Sequence, residues 1–172
     1  MQPLVELVSK VDTGRCVCIE IANKTSSITL SSPSSYCKSG FVYCPPPPTI
    51  SPGNVDHCMF VKTPSTACGS VGVLTYHYSE THTIAILFSN PFDYNIHSIY
   101  FGALITDEVR KADQALYNEM YHYDGQSDHQ KLIEVTRNGE SLGVHLGHVK
   151  VLATMSNDKK AILRVEILET GA

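Results

Sequence analysis

Two neighbouring runs, Ser70-Val71-Gly72-Val73-Leu74-Thr75-Tyr76-His77-Tyr78 and Thr83-Ile84-Ala85-Ile86-Leu87-Phe88-Ser89, decide the fold class. Both are dense in Val, Ile, Leu and Tyr and contain no Lys, Arg, Asp or Glu. β-branched and aromatic residues suit a pleated, packed surface, and a run apolar on both faces suits the centre of a sheet. Ser79 to His82 reads as the turn between them. Upstream, Val17, Ile19 and Ile21 alternate with Cys16, Cys18 and Glu20, the period of two expected of a strand. Ser26 to Leu30, Val55 to Val61, Ser98 to Ile105, Leu132 to Thr136, Leu142 to Ala153 and Ala161 to Leu168 also read as strands. Arg137-Asn138-Gly139-Glu140 carries an Asn-Gly hairpin signal. Ser156 to Lys159 reads as the last turn.

Helical spacing occurs twice. Leu4, Leu7, Val8 and Val11 fall at i, i+3, i+4, i+7 and make one apolar face of a short helix, broken by Asp12-Thr13-Gly14. Lys111 to Tyr123 lacks Gly and Pro and predicts the second helix. Ala112, Ala115, Leu116 and Met120 supply its packing side, while Tyr117 and Tyr121 share a face at i, i+4 with Asp113 one turn earlier. Ser31 to Gly53 is rich in Ser and Pro, and reads as a rigid surface loop around the extended run Pro45 to Pro48. Many strands at short intervals with two helices predict a mainly β protein: one β-sandwich domain over residues 1–172, flanked by helices, with 1–14 as an amphipathic segment.

Composition narrows the function. The chain has 172 residues, 42% apolar and 17% charged, and a net charge of −4. No apolar run approaches the ~20 residues of a spanning helix. No basic stripe suits nucleic acid, and no polybasic cluster suits a membrane anchor. Met1 to Lys10 has neither a basic start nor a continuous apolar block, so no secretory leader is expected. The six cysteines match no zinc spacing and are expected to be reduced, with Cys37 and Cys44 the readiest pair across a turn. No Gly-x-Ser-x-Gly, P-loop or His-Glu-x-x-His pattern is present. His145 and His148, three apart in an expected strand, make a poor metal pair. The chain therefore reads as a non-enzyme that needs no cofactor.

Three stretches carry a family likeness. Ala67-Cys68-Gly69-Ser70-Val71-Gly72-Val73-Leu74-Thr75-Tyr76 resembles a sheet-core segment of the actinoporins, cytolysins of sea anemones with relatives in fish, molluscs and mosses. The likeness continues through Ile86 to Asn95, with Ser89-Asn90-Pro91-Phe92-Asp93-Tyr94, and resumes over Lys111 to Tyr121. The vertebrate actinoporin-like proteins look closest. The resemblance implies a β-sandwich flanked by two helices, in a water-soluble protein that acts at a target membrane. It implies binding to sphingomyelin or phosphatidylcholine, self-oligomerisation on the membrane, and an N-terminal helix that detaches to help line a pore.

Position by position, the resemblance assigns a phosphocholine pocket to Ser39, Val71, Ser89, Pro91, Tyr117 and Tyr121. His97 and His122 stand where the family usually has Tyr. Such a set makes physical sense: aromatic faces attract a quaternary ammonium, and hydroxyls donate to a phosphate oxygen. In the membrane-contact loop, positions that usually carry Trp hold Ile96 and Tyr100, with Ile99 beside them. The absent indoles and the short apolar stretch from Leu4 to Val11 predict weak lysis. A lectin-like module on the same fold, binding glycans, is the alternative.

Overall fold

A computed structural model describes residues 4–125, 127–136 and 140–170. Two six-stranded sheets face each other. The first sheet runs β10-β11-β12-β1-β5-β3 and the second β4-β2-β6-β7-β8-β9. The strands are β1 (Cys16–Asn23), β2 (Leu30–Ser39), β3 (Phe41–Cys44), β4 (Thr49–Ile50), β5 (Val55–Val61) and β6 (Ser70–His77). They continue with β7 (Thr83–Asn90), β8 (Ile99–Thr106), β9 (Gln130–Val135), β10 (Glu140–Leu146), β11 (Val149–Met155) and β12 (Lys160–Glu169). The helices are α1 (Leu4–Ser9) and α2 (Gln114–Tyr121).

The alternation in β1 sets the layers. Val17, Ile19 and Ile21 point between the sheets into a core with Phe60, Phe88, Phe101 and Leu163. Cys16 and Cys18 point outward and join Met59 and Val61 beneath Val8 and Val11 of the N-terminal segment. On the opposite outer face, Val71, Val73, Ala85, Leu87 and Leu104 form the floor for Leu116, Tyr117 and Met120 of α2. Each helix thus covers the apolar outer stripe of one sheet. The central strands β6 and β7 are buried on both faces because of it, as their sequences require.

Several local readings change. Ser31 to Gly53 is woven rather than a loop: it supplies most of β2 together with β3 and β4. A bulge between Ser31 and Ser34 accommodates Pro33, and with a second between Cys37 and Ser39 it hides the period of two. Gly40, at φ 85°, turns the chain from one sheet to the other, and a Cβ there would run into the Val61 carbonyl. Pro45 to Pro48 does stay outside the strands, and the Pro47 carbonyl accepts a 2.6 Å hydrogen bond from the Tyr76 hydroxyl. The expected strand from Ser26 begins only at Leu30. The preceding turn is built on buried Asn23, whose Nδ2 donates to the Ile28 and Ile50 carbonyls at 2.8 and 2.9 Å.

The expected single strand Leu142 to Ala153 is a hairpin, β10 and β11, turning at Gly147 with φ 59°. His148 lies in that turn rather than in a strand. The Asn-Gly turn at 137–139 lies outside the described residues, but the strands beside it, β9 and β10, belong to different sheets. The second helix is shorter than predicted. Asp113 adopts an extended backbone and caps it, accepting a 2.8 Å bond from the Leu116 amide. The Cys37 and Cys44 thiols are free and sit in opposite sheets. Burial pushes the Cys16 pKa to about 11 and that of Cys18 to about 12, so both remain protonated packing groups.

The N-terminal apolar face is docked. Val8 and Val11 are buried, and Leu4 packs partly against the same cluster. Lys160 fastens the end of this segment, donating to the Ser9 carbonyl at 3.2 Å and the Val11 carbonyl at 2.7 Å. A cation at a helix C-terminus satisfies carbonyls that have no intrahelical partner. Lys160→Met is therefore expected to loosen this segment by about 1 kcal/mol. Hydrogen exchange should quicken over residues 4–11 and stay unchanged in β6 and β7.

Candidate functional site

The loop after β7 is braced from below. Asn90 is fully buried, and its Nδ2 donates to the carbonyls of Cys16, Asp158 and Lys159 at 3.0, 3.2 and 2.8 Å. Its Oδ1 accepts from the Tyr94 hydroxyl at 2.7 Å. Arg15 braces the loop from the side: Nε donates to the Pro91 carbonyl at 3.1 Å and Nη2 to the Phe92 carbonyl at 2.7 Å. Its guanidinium carbon lies 4.5 Å from the Tyr94 ring centre and 5.3 Å from that of Phe92, and the Lys62 ammonium also stands 5.3 Å from the Phe92 ring. Asp93 then closes a turn, its carboxylate accepting from the Asn95 amide and its carbonyl from the Ile96 and His97 amides.

Between this loop, the end of β2 and α2 lies a concavity of about 480 Å³. Its walls include Ser39, Val71, Ser89, Pro91, His97, Tyr117, Tyr121 and His122, together with Lys38, Cys68 and Asp93. All eight pocket positions assigned from the sequence thus face one space. The β-bulge at Cys37 and Ser39 sets Ser39 at the rim opposite Val71, and the β6–β7 register places Ser89 directly across from Val71.

One wall is aromatic. The Tyr117 and Tyr121 rings stack with centres 5.5 Å apart and planes at 22°. Tyr36 leans on Tyr117 at 6.3 Å, Tyr100 meets Tyr121 edge-on at 5.9 Å, and His122 meets Tyr121 edge-on at 5.3 Å. Tyr117 is 5% exposed, whereas Tyr121 is half-buried and His97 and His122 are exposed. Burial, then the neighbouring Tyr121 and Tyr36, push the Tyr117 phenol well above its ordinary pKa. It stays a protonated O–H donor. Such a wall offers ring faces to an organic cation, with Ser and Tyr hydroxyls and the Lys38 ammonium available to an anion.

The loop assignments divide. Ile96 is 71% exposed on the rim of the concavity. Ile99 is not a loop residue: it is 2% exposed, inside β8 and within the sandwich core, because the strand starts there. Tyr100 also lies in β8, on the outer face of its sheet, half-buried against Tyr121, so it extends the aromatic wall from the strand and not from the loop. Phe92 and Tyr94, 40% exposed each, accompany Ile96 on the loop surface. Arg15, Tyr36 and Phe92 were missed by sequence reasoning. Only the aromatic pair Phe92 and Tyr94 within the loop could have signalled its surface. Among the described residues, no group of His, Cys, Asp or Glu is placed to hold a metal ion.

The sequence profile described as sea anemone cytotoxic protein matches residues 2–168. The chain belongs to that family, a class of cytolysins that are not enzymes. DELTA-alicitoxin-Pse1b of Phyllodiscus semoni is 34% identical over 100 residues, covering 58% of this chain and 42% of the relative. DELTA-stichotoxin-Hcr4b of Radianthus crispa is 36% identical over 109 residues, covering 61% and 55%. The chain thus spans about half the length of the curated relatives it matches. Nakanori, whose crystal structure describes it as a lipid binding protein, shares the fold. Its TM-score is 0.68 at 17% identity, covering 97% of this chain and 76% of that one.

Proposed function

We propose that this chain binds choline phospholipid membranes, seating the phosphocholine headgroup of sphingomyelin or phosphatidylcholine in the concavity beside α2, and self-associates there as a weakly lytic cytolysin. The observation that supports this reading is the convergence of the eight assigned residues on one space walled by stacked tyrosines. The ammonium lies against Tyr117 and Tyr121, at ~0.5–2 kcal/mol per ring. The phosphate meets the hydroxyls of Ser39 and Ser89 and the Lys38 ammonium. Ile96, Phe92 and Tyr94 enter the interface beside it.

Vesicle co-sedimentation tests it. Binding to sphingomyelin and phosphatidylcholine vesicles is expected, with none to choline-free vesicles. Binding to a glycan array without vesicle binding would instead support the lectin-like alternative.

Lysis is expected to be weak. Among the described residues no helix is long and apolar enough to cross a membrane. The six described residues of α1 span ~9 Å at a rise of 1.5 Å, against ~30 Å of hydrocarbon. Lengthening the helix into β1 would pull Val17, Ile19 and Ile21 out of the core. Dye release by this 172-residue chain from sphingomyelin vesicles should stay slight at concentrations that saturate binding. Rapid, complete release would contradict this part of the reading.

A further inference from the structure

The run Pro45 to Pro48 takes no part in the headgroup concavity, and its own chemistry dictates its conformation. A pyrrolidine ring fixes φ near about −65°. A residue that precedes proline is driven out of the helical region into extended backbone. Cys44, Pro45, Pro46 and Pro47 each precede a proline, so Pro45 to Pro47 are confined to polyproline II. Such a segment has about three residues per turn, and residues three apart share one edge, ~9 Å from each other. The exposure follows that period: Pro45 and Pro48 are exposed, whereas Pro46 and Pro47 are half-buried against the protein.

This short rod is held from beneath and at both ends. The hydroxyl of Tyr76, a buried residue of β6, donates to the Pro47 carbonyl at 2.6 Å. Strand β3 ends at Cys44, just before the run, and β4 begins at Thr49, just after it. The outward edge is therefore presented in a set geometry, and its conformational entropy is already lost on folding. A partner that binds it has little left to order.

The surroundings define what that partner is. β3 is the terminal strand of its sheet, and Phe41, Val42 and Tyr43 on it are exposed. From Ser39 to Val55 no residue carries a formal charge, in a chain of net charge −4. A charged surface finds no complement here. A cleft between aromatic side chains does. Proline rings at one edge of a polyproline II segment pack on aromatic faces, and its backbone carbonyls, which have no partner within the helix, accept from Trp N–H and Tyr O–H groups.

We propose that Pro45 and Pro48 form a docking edge for a protein domain with an uncharged, aromatic, proline-reading groove, of the kind that WW and EVH1 domains carry. Phe41, Val42 and Tyr43 extend the contact beside the groove. The inference stands apart from the headgroup reading, because neither proline lines that concavity.

The test is calorimetric titration of the 172-residue chain with a purified WW domain and, separately, a purified EVH1 domain. Saturable binding of one of them is expected, displaced by a free polyproline peptide and lost when the groove tryptophan of that domain is replaced by alanine. The Pro45→Ala/Pro48→Ala variant should bind at least about tenfold more weakly. Its melting temperature should be nearly unchanged, since both rings face solvent and the bond from Tyr76 goes to Pro47. Pro52→Ala, in the turn before β5, should keep full affinity.

The proposal is overturned if neither domain binds, if polyproline does not displace it, if folded Pro45→Ala/Pro48→Ala binds as well as the wild type, or if Pro52→Ala abolishes binding. Loss of self-association on sphingomyelin vesicles in the double variant, with neither domain bound by the wild type, would assign the edge to a second copy of this chain and also overturn it.

Discussion

Tyr121→Ala is expected to weaken binding to sphingomyelin vesicles by roughly tenfold or more, with the fold intact. The ring is half-buried, stacks on Tyr117 and receives Tyr100 and His122 edge-on. Its removal takes away one face of the aromatic wall and unsettles its three neighbours. The direct cation–π loss is ~0.5–2 kcal/mol, to which the loosened neighbours add, and 1.4 kcal/mol is tenfold in affinity. Tyr117 needs a gentler substitution, because at 5% exposure it also anchors α2 to Val71, Val73 and Leu87. Truncating such a buried aromatic to Ala costs about 3–5 kcal/mol of stability. Tyr117→Phe keeps the packing and removes only the hydroxyl, so it should cost severalfold in affinity and leave the melting temperature nearly unchanged. Co-sedimentation beside thermal unfolding separates the two effects. Full binding by folded Tyr121→Ala would contradict the role of this wall.

Gly72→Ala is expected to destabilise the fold strongly for so small a substitution. Gly72 sits in the middle of β6, opposite Cys37 of β2 and Phe88 of β7. A Cβ there would run into the Tyr36 carbonyl oxygen and come within 3.2 Å of the Cys37 Cα, both backbone atoms that cannot swing aside. It would also press on the Phe88 ring at 3.0 Å. Relief requires β2 to move off the sheet, carrying Ser39 and Tyr36 away from the pocket. Overpacking of this kind costs about 1–3 kcal/mol where side chains can adjust, and more where backbone must move. Chemical denaturation should show a loss of at least about 3 kcal/mol. A wild-type midpoint would show that β2 sits more loosely against β6 than its register indicates.

The legibility of the fold tracks burial. Strands that alternate or are apolar throughout, β1 and β5 to β8, follow directly from the chemistry of a sheet with both faces covered. The Ser- and Pro-rich stretch 31–53 does not, because β2 pairs with β4 only at Leu30 and Ser31 and is bulged twice along β6. Its strand character comes from the neighbour, not from its own pattern. The split between β10 and β11 turns on Gly147, a single positive-φ residue inside an apolar run, which periodicity passes over. The trimmed start of α2 was available in principle, since Asp113 is a residue type that caps helices.

The site divides in the same way. Tyr117 and Tyr121 could be placed on one face by helical spacing alone. Ser39, Val71, Ser89, Pro91, His97 and His122 came from likeness to a family, since no local rule brings a strand end, a loop and a helix together. Arg15, Tyr36 and Tyr100 act through tertiary contacts, and their sequence neighbourhoods give no hint of them. Ile99 was misassigned because one residue separates the loop from a strand whose alternation turns it inward.

A protein-observed NMR titration with dodecylphosphocholine, kept below its micelle concentration, tests the central claim most directly. The account predicts saturable shifts confined to the amides of Ser39, Val71, Ser89, Tyr117, Tyr121 and His122, and their loss in Tyr121→Ala. Saturable shifts centred elsewhere, or none at these positions, would contradict it.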